Sequence, residues 1–336
     1  MGGGARGHRV TPRALLAADC GRGVGLGHLE RMLALADALQ PELDVFLLVP
    51  EGDATVRRRV SDRGQTAIEA RGVTADRVAA AVGVSPPFDV VVLDGYVFDV
   101  ALQRRLRDRA PLTVVDDLQR PADCDLAVNP SPGGEELRPA GATAFLGGAA
   151  YALIRASVVA AREMALRRGR DPRTVLVSTG ATDPARIGRA VSHALLDADA
   201  TVEVIRVIGP DSPDSSEDAR PRERVLVAPP DLADALAAAT VYVGAAGTTA
   251  VQAACVGIPA VITAAVSNQQ AQAAALGRAG CAVVVDSADL AGTCLTLLDD
   301  PGERATMAGR GPELVDGHGA ARVAAAIRNL VAARAA

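Results

Sequence analysis

Leu15-Leu16-Ala17-Ala18-Asp19-Cys20-Gly21-Arg22-Gly23-Val24-Gly25-Leu26-Gly27-His28-Leu29-Glu30-Arg31 is the stretch from which the rest of the chain can be read. Its first four residues form an apolar run of the kind that makes a buried strand. Four glycines follow, and Met32-Leu33-Ala34-Leu35-Ala36-Asp37-Ala38-Leu39 then continues at helical spacing. A strand that feeds a helix through a glycine loop turns backbone N–H groups and a helix N-terminus toward an anionic ligand. His28 closes the loop and sets a proton acceptor beside that cradle. The spacing is not the G-x-G-x-x-G of a dinucleotide fingerprint, and a plain glycine-rich turn is the competing reading.

The same alternation runs through the chain. Strands are expected at Leu15–Ala18, Val45–Val49, Val90–Leu93, Thr113–Val115 and Leu126–Val128. A second set falls at Thr174–Val177, Glu203–Val207, Val225–Val227, Val241–Val243, Ala260–Ile262 and Ala282–Val285. Helical patterns lie between them, among them Leu29–Leu39, Asp99–Arg109, Ala185–Leu196, Leu232–Ala239, Thr249–Val256 and Gln269–Ala279. Continuous apolar strands alternating with helices imply parallel sheets covered on both faces. Loop chemistry at Asn129-Pro130-Ser131-Pro132-Gly133-Gly134 and a break at Asp171-Pro172 put a domain boundary near 155–172. The expected organisation is an N-terminal domain over 1–155 and a C-terminal domain over 156–336. Both are α/β and Rossmann-like, and they face a central cleft. The Ala-rich segment 320–335 reads as a long helix that packs back across the junction.

At 336 residues and 49% hydrophobic content the chain has material for two cores. Aromatic residues make up 2%, and tryptophan is absent, so the cores rest on Val, Leu, Ile and Ala. That scarcity, with a net charge of -5, argues against a nucleic-acid partner. All 35 basic residues are arginine, which excludes a Schiff-base lysine and a lysine-bearing P-loop. The five cysteines, Cys20, Cys124, Cys255, Cys281 and Cys294, form no CxxC pair and read as buried thiols of a reducing compartment. No apolar run is long enough to span a bilayer. A cytoplasmic protein without membrane insertion, bound metal or cofactor is expected.

Five further loops stand at the carboxyl ends of expected strands. Ser178-Thr179-Gly180-Ala181-Thr182-Asp183-Pro184 offers N–H and O–H donors to a phosphate, or reads as a plain turn with Asp183 as N-cap and Pro184 at the first helical position. Gly244-Ala245-Ala246-Gly247-Thr248-Thr249 suits a diphosphate, and Gln252 lies one turn on, within reach of a ribose. Ser267-Asn268-Gln269-Gln270 gathers amides at a helix start, where they also serve as ordinary caps. Asp94-Gly95-Tyr96 and Asp116-Asp117 end the β-strand candidates of the first half. Asp116 and Asp117 read foremost as solvated turn residues or N-caps. His8, His193 and His318 have no such context and read as surface or core histidines.

Taken together these elements resemble the GT-B glycosyltransferase architecture. They are similar in particular to the UDP-sugar hydrolase of pseudaminic acid biosynthesis and its spore-coat polysaccharide relatives. The resemblance runs from about residue 15 to 290. It is carried by Asp19 with Gly25-Leu26-Gly27-His28-Leu29-Glu30-Arg31, Asp94-Gly95-Tyr96, Asp116-Asp117-Leu118, Cys124-Asp125-Leu126, Tyr151-Ala152-Leu153-Ile154-Arg155, Ser178 to Pro184, and Asn268-Gln269.

The resemblance implies a UDP-sugar donor held mainly by the C-terminal domain and reached by the N-terminal one, with His28 as general base and Tyr96 and Asn268 in the chemistry. Gly25, Gly27, Arg31, Arg155, Ser178, Thr179, Gly180, Gly247, Thr248, Thr249, Gln252 and Gln269 are the implied donor and substrate contacts. The chain departs from the family at Gly180-Ala181 and Ala246-Gly247, where Gly-Gly is usual, at Gln252, where a glutamate takes the ribose, and at Ala17-Ala18, where an arginine is usual. These departures favour an inverting transfer to a small acceptor, such as a nucleobase or aminosugar of specialised metabolism (for instance cytosylglucuronate-type synthesis). Hydrolysis, with water as the acceptor, is the alternative. A uronic-acid donor would call for an arginine from among Arg22, Arg31 and Arg155.

Overall fold

The computed structural model describes residues 11–21, 26–71, 73–83, 86–169, 173–180, 183, 186–210 and 212–335. His8, Arg22, Gly23, Gly25, Ala181, Thr182 and Pro184, singled out above, lie outside the described residues.

The first sheet has seven strands: β1 (Arg13–Ala18), β2 (Asp44–Pro50), β3 (Thr66–Ala70), β4 (Val90–Asp94), β5 (Leu112–Val115), β6 (Leu126–Asn129) and β7 (Ala144–Gly147). Their order is β3-β2-β1-β4-β5-β6-β7, and every pairing is parallel. Helices α1 (Gly27–Leu39), α2 (Ala54–Ser61), α3 (Ala75–Val82) and α4 (Val100–Arg107) fall between them. Alternate residues of β1 serve opposite faces, as strand geometry requires. Ala14, Leu16 and Ala18 pack with Leu29, Met32, Leu33 and Leu35 of α1, while Leu15 and Ala17 share a core with Val78 of α3 and Leu102 and Leu106 of α4.

After α5 (Ala156–Arg168), a six-stranded parallel sheet repeats the plan. It comprises β8 (Thr174–Ser178), β9 (Glu203–Ile208), β10 (Glu223–Val227), β11 (Val241–Ala245), β12 (Ala260–Thr263) and β13 (Ala282–Val284), in the order β10-β9-β8-β11-β12-β13. Its helices are α6 (Ile187–Ala198), α7 (Ala233–Ala238), α8 (Thr248–Val256), α9 (Gln270–Arg278), α10 (Leu290–Leu298) and α11 (Pro301–Leu314). Val158, Ala161 and Ala165 of α5 are buried in the same core as Leu236, Ala250 and Val251 of α7 and α8. The last helix, α12 (Gly319–Ala335), returns to the first sheet, where Val323, Ala324 and Ile327 are fully buried in the core of α1 and β1.

Every strand read from the sequence is present. Two were not read, β3 and β7, and these are the edges of the first sheet. Neither Thr66-Ala67-Ile68-Glu69-Ala70 nor Ala144-Phe145-Leu146-Gly147 has a fully buried residue, so neither carries the apolar run that marks a central strand. α6 begins at Ile187, two residues later than the pattern suggests, because Arg186 takes a left-handed conformation (φ 52°). Asp183 still caps it from outside. Its carboxylate accepts from Ile187 N (3.0 Å), Gly188 N (2.9 Å) and Thr179 Oγ1 (2.6 Å).

Among the described residues no helix is long and apolar enough to cross a membrane, and no group of three His, Cys, Asp or Glu is placed to hold a metal ion. The five cysteines are free and buried.

Candidate active site

The carboxyl ends of both sheets face one cleft, where parallel α/β sheets put their ligands. A cavity of about 350 Å³ lies there, at the small end of the range for ligand sites. Two helices start at its wall, α1 from the first domain and α8 from the second. Asp53, Asp99 and Asp300 cap α2, α4 and α11 through their side chains, but α1 and α8 follow Leu26 and Gly247, and neither has a side-chain cap. The first N–H groups of a helix have no partner within it, so at these two ends a ligand or solvent must supply the acceptor. The two ends are close: a methyl group on Gly27 would sit 3.5 Å from Thr248 Oγ1.

Local interactions fix the turn before α8. Gly244 has φ 153° and lies so close to β8 that a Cβ there would fall 1.9 Å from the Ser178 carbonyl oxygen. The buried Tyr242 hydroxyl lies 2.8 Å from the carbonyl oxygens of both Ser178 and Ala245. Gln272 Nε2 donates to the carbonyls of Ala246 (2.7 Å) and Gly247 (3.0 Å). With those carbonyls held from the α9 side, the helix start faces the cavity. Gln252 follows on α8, buried, with Oε1 accepting no hydrogen bond from the protein.

His28 stands on the first turn of α1. Its Nδ1 lies 2.6 Å from Asp94 Oδ1, at the end of the neighbouring strand β4. Asp94 is fully buried and also receives Arg31 Nε on Oδ2 (2.9 Å) and Nη2 on Oδ1 (2.7 Å). Burial alone would raise the Asp94 pKa, but the Arg31 and His28 charges outweigh it and hold the carboxyl below its ordinary value. The carboxylate is thus an acceptor only, so His28 Nδ1 carries a proton in this contact, which in the neutral imidazole leaves the lone pair on Nε2. Arg31 Nη2 is 2.7 Å from Nδ1 because both donors converge on the same oxygen, not because they bond each other. Burial opposes the Arg31 charge, yet Asp94 and then Asp117 keep its pKa above the usual value.

Asp117, expected as a solvated turn residue, instead accepts from Arg31 Nη1 (3.1 Å) and from the Tyr96 hydroxyl (2.7 Å). Tyr96 meets the His28 ring edge-on, 5.0 Å between centroids, and its hydroxyl accepts from Asn268 Nδ2 (3.0 Å) of the second domain. Asp116 is buried and paired with Arg120 at 2.9 Å rather than solvated. Burial raises the Asp19 pKa, partly opposed by His28 and reinforced by Asp94.

At the opposite end the two terminal nitrogens of Arg155 reach across the domain boundary, while its buried Nε has no hydrogen-bond partner among the described residues. The terminal nitrogens meet Glu30 Oε2 (3.2 Å), Asp231 Oδ2 (2.8 Å) and the Pro230 carbonyl (3.0 Å). Arg59 joins the same Glu30 and donates to the Pro229 carbonyl at 2.8 Å.

The cavity thus brings together Gly27, His28, Arg31, Tyr96, Arg155, Ser178, Gly180, Gly247, Thr248, Thr249, Gln252, Asn268 and Gln269. Thr179 is not in its wall, its hydroxyl being bonded to Asp183. Gln269 lines the wall but gives its Oε1 to Ala265 N at 3.0 Å. Arg31 and Arg155, expected to meet substrate, have their guanidinium groups taken by protein carboxylates. Sequence reasoning gave no role to Glu30, Tyr242 or Gln272 and read Asp117 foremost as a solvated turn residue or N-cap. The readable signal for Asp94 was its position at the carboxyl end of a strand beside the histidine loop.

Because the Asp94 pKa is lowered on folding, its ionised form contributes stability above its ordinary pKa of 3.8 and loses that contribution as pH falls below it. Asp94→Asn is expected to cost about 3 kcal/mol at neutral pH. Denaturant titrations across pH should show the gap to the parent protein narrowing below about pH 4. A gap that does not change with pH would mean that the carboxylate is not the stabilising form.

No protein-family model matches the chain, and no curated protein matches it. Solved structures do. The spinosyn forosaminyltransferase SpnP is 18% identical, with a TM-score of 0.66 over 96% of this chain and 99% of that one. The glycosyltransferase SsfS6 of Streptomyces sp. SF2575, complexed with thymidine diphosphate, is 16% identical, with a TM-score of 0.64 over 95% and 99%. LpCGTa in complex with UDP is 14% identical, with a TM-score of 0.62 over 96% and 99%. The class this defines is the fold of GT-B glycosyltransferases. Within that class the chain consists of two parallel-sheet Rossmann-like domains of seven and six strands.

Proposed function

We propose that the protein is an inverting glycosyltransferase that moves a sugar from a UDP-sugar to a small acceptor, with His28 as general base. The observation that carries this reading is the pair of uncapped helix N-termini, α1 and α8, at one cavity that is also lined by His28, whose Nδ1 is held by Asp94. Helix N-termini favour a diphosphate and the charge that grows on it as it leaves. The free Oε1 of Gln252 is an acceptor for a ribose hydroxyl. SsfS6 and LpCGTa were solved with nucleoside diphosphates, which supports the donor class. Direct displacement by an acceptor deprotonated at His28 inverts the anomeric carbon. Tyr96 and Asn268 stand at the acceptor end, and no metal is part of the proposal.

An acceptor larger than water is favoured by the rim of the site. Tyr96, Val97, Leu118 and Val266 are exposed large apolar side chains, and each is within two residues of the Tyr96–Asp117–Asn268 contact. Exposed apolar surface gathered at a cavity mouth marks a ligand contact.

The test is incubation with a panel of UDP-sugars, with and without nucleobase and aminosugar acceptors, reading UDP release and product mass. Acceptor-dependent release with a heavier glycosylated product is expected. Release of free sugar without acceptor would assign the protein to hydrolysis and overturn the transferase reading.

A further inference from the structure

Gln252 stands one turn beyond Thr248 on α8, in the cavity wall. It is 7% exposed, and its Oε1 is buried with no hydrogen-bond partner among the described residues. Its Nε2 is not left in that state. The other amides of this wall are already committed. Asn268 Nδ2 donates to the Tyr96 hydroxyl, Gln269 Oε1 accepts from Ala265 N, and Gln272 Nε2 holds the Ala246 and Gly247 carbonyls. A buried acceptor without a donor costs free energy that a ligand hydroxyl recovers. A carboxylate at this position would have two oxygens to fill, whereas an amide has one. The wall therefore asks for a single hydroxyl at Gln252.

Covalent reach says which hydroxyl that is. A nucleoside diphosphate seated on the α8 start carries its pentose through C5′. Gln252 lies one helical turn along from that start, about 5.4 Å. The 3′-hydroxyl is on the carbon next to the one that bears C5′, and the 2′-hydroxyl is one carbon further away. The 3′ group is the partner of Oε1, and no buried acceptor waits for the 2′ group.

The apolar part of the cavity is equally undemanding of the base. Val207, Ile208, Pro229, Pro230 and Leu232 line it. The two prolines have no N–H, and both of their carbonyls are engaged by arginines. Pro229 accepts from Arg59 Nη2 (2.8 Å), and Pro230 accepts from Arg63 Nη2 (3.1 Å) and Arg155 Nη1 (3.0 Å). Such a wall offers a flat base apolar contact, to which a methyl group on a pyrimidine adds surface.

We infer that the donor site reads the pentose through its 3′-hydroxyl alone, at Gln252, and so takes 2′-deoxynucleoside diphosphates such as thymidine diphosphate as readily as UDP. The inference rests on the reading of a nucleoside diphosphate at α8. It widens the donor class from UDP-sugars to pyrimidine nucleoside diphosphate sugars of either pentose.

The experiment is calorimetry with UDP, 2′-deoxy-UDP, thymidine diphosphate and 3′-deoxy-UDP. In the parent protein the first three should bind within about threefold of one another, and 3′-deoxy-UDP about tenfold more weakly, the loss expected when a buried acceptor goes without its donor. Gln252→Glu keeps the shape and adds a second acceptor oxygen. In that variant UDP should gain about tenfold over 2′-deoxy-UDP, and the ratio is the readout because both ligands carry the same diphosphate. In Gln252→Leu, UDP and 3′-deoxy-UDP should bind alike, because the partner of the 3′-hydroxyl is gone. Thermal unfolding checks that both variants are folded.

A penalty above about threefold for 2′-deoxy-UDP or thymidine diphosphate, or one below about threefold for 3′-deoxy-UDP, would overturn the inference while nucleotide binding stands. So would an unchanged ratio of UDP to 2′-deoxy-UDP in Gln252→Glu, or a 3′-deoxy penalty that survives in Gln252→Leu. Failure of all of these ligands to bind the parent protein would overturn the nucleoside diphosphate reading and the inference with it.

Discussion

His28→Ala should lower donor turnover by about a thousandfold, within the range that general-base catalysis supplies, while UDP binds as before. The separation follows from the geometry. On the proposed function the groups that would receive the diphosphate are the backbone N–H groups at the starts of α1 and α8 and the Thr248 hydroxyl, and none of these is the imidazole. The imidazole is anchored on its Nδ1 side by Asp94, so on the proposed function its other nitrogen is the one that would take the acceptor's proton. As the acceptor proton moves to Nε2, the imidazolium forms beside a carboxylate that is buried and already ionised. Steady-state rates of UDP release set against calorimetric UDP affinity decide the matter. Unchanged turnover would remove His28 from the mechanism, and a parallel loss of UDP affinity would make it a binding residue instead.

Gly244→Ala should cost more than about 4 kcal/mol and leave little folded protein, given total stabilities of about 5–15 kcal/mol. The added methyl would meet the Ser178 carbonyl oxygen at 1.9 Å, and φ of 153° is a conformation that L side chains rarely adopt. Neither contact partner can give way, because Gly244 and Ser178 are paired residues of adjacent central strands. Gly247→Ala is the contrasting case three residues on. Its φ of -100° is ordinary, and a methyl there meets only Gln269 Nε2 at 3.5 Å. That variant should keep its stability within about 0.5 kcal/mol and, on the proposed function, lose UDP affinity, since Gly247 lines the cavity at the start of α8. Denaturant unfolding of the two proteins separates the effects. A stable Gly244→Ala would mean that β8 and β11 do not need their close approach.

Gly95 shows the same device in the first domain. It too has φ 153° and sits against the first strand's end, where a Cβ would fall 2.3 Å from Asp19 Cβ. Both glycines stand where two neighbouring strands release the chain into the cleft. Their conformations were not legible in the sequence, because a strand-end glycine looks the same whether it crosses close to a neighbour or merely turns.

What was legible followed from burial. Central strands such as Val90-Val91-Val92-Leu93 are covered on both faces and leave an apolar run, whereas β3 is half-exposed and leaves none. The site was legible where chemistry requires a residue type at a strand's carboxyl end, as with His28, Thr248 and Gln252. It was obscure where a role depends on partners remote in sequence. Asp117 is 86 residues from Arg31, and Arg155 is 125 from Glu30, so nothing local distinguishes them from solvated charges. The same holds for Gln272, whose amide tethers the turn before α8 from a separate helix.

The packing of α12 on α1 sets an order of events during synthesis. Arg328 Nη1 donates to the Ala38 carbonyl across 290 residues of chain, and Val323, Ala324 and Ile327 complete the core that Leu29 and Met32 begin. At ribosomal rates that interval lasts about 15–60 s. For that time the first domain has a sheet, a helix and an open apolar seam, and the entire second domain is made before the seam closes. The nascent first domain keeps that seam uncovered until its last helix is made, and a fragment that stops at the domain boundary lacks the helix that covers it.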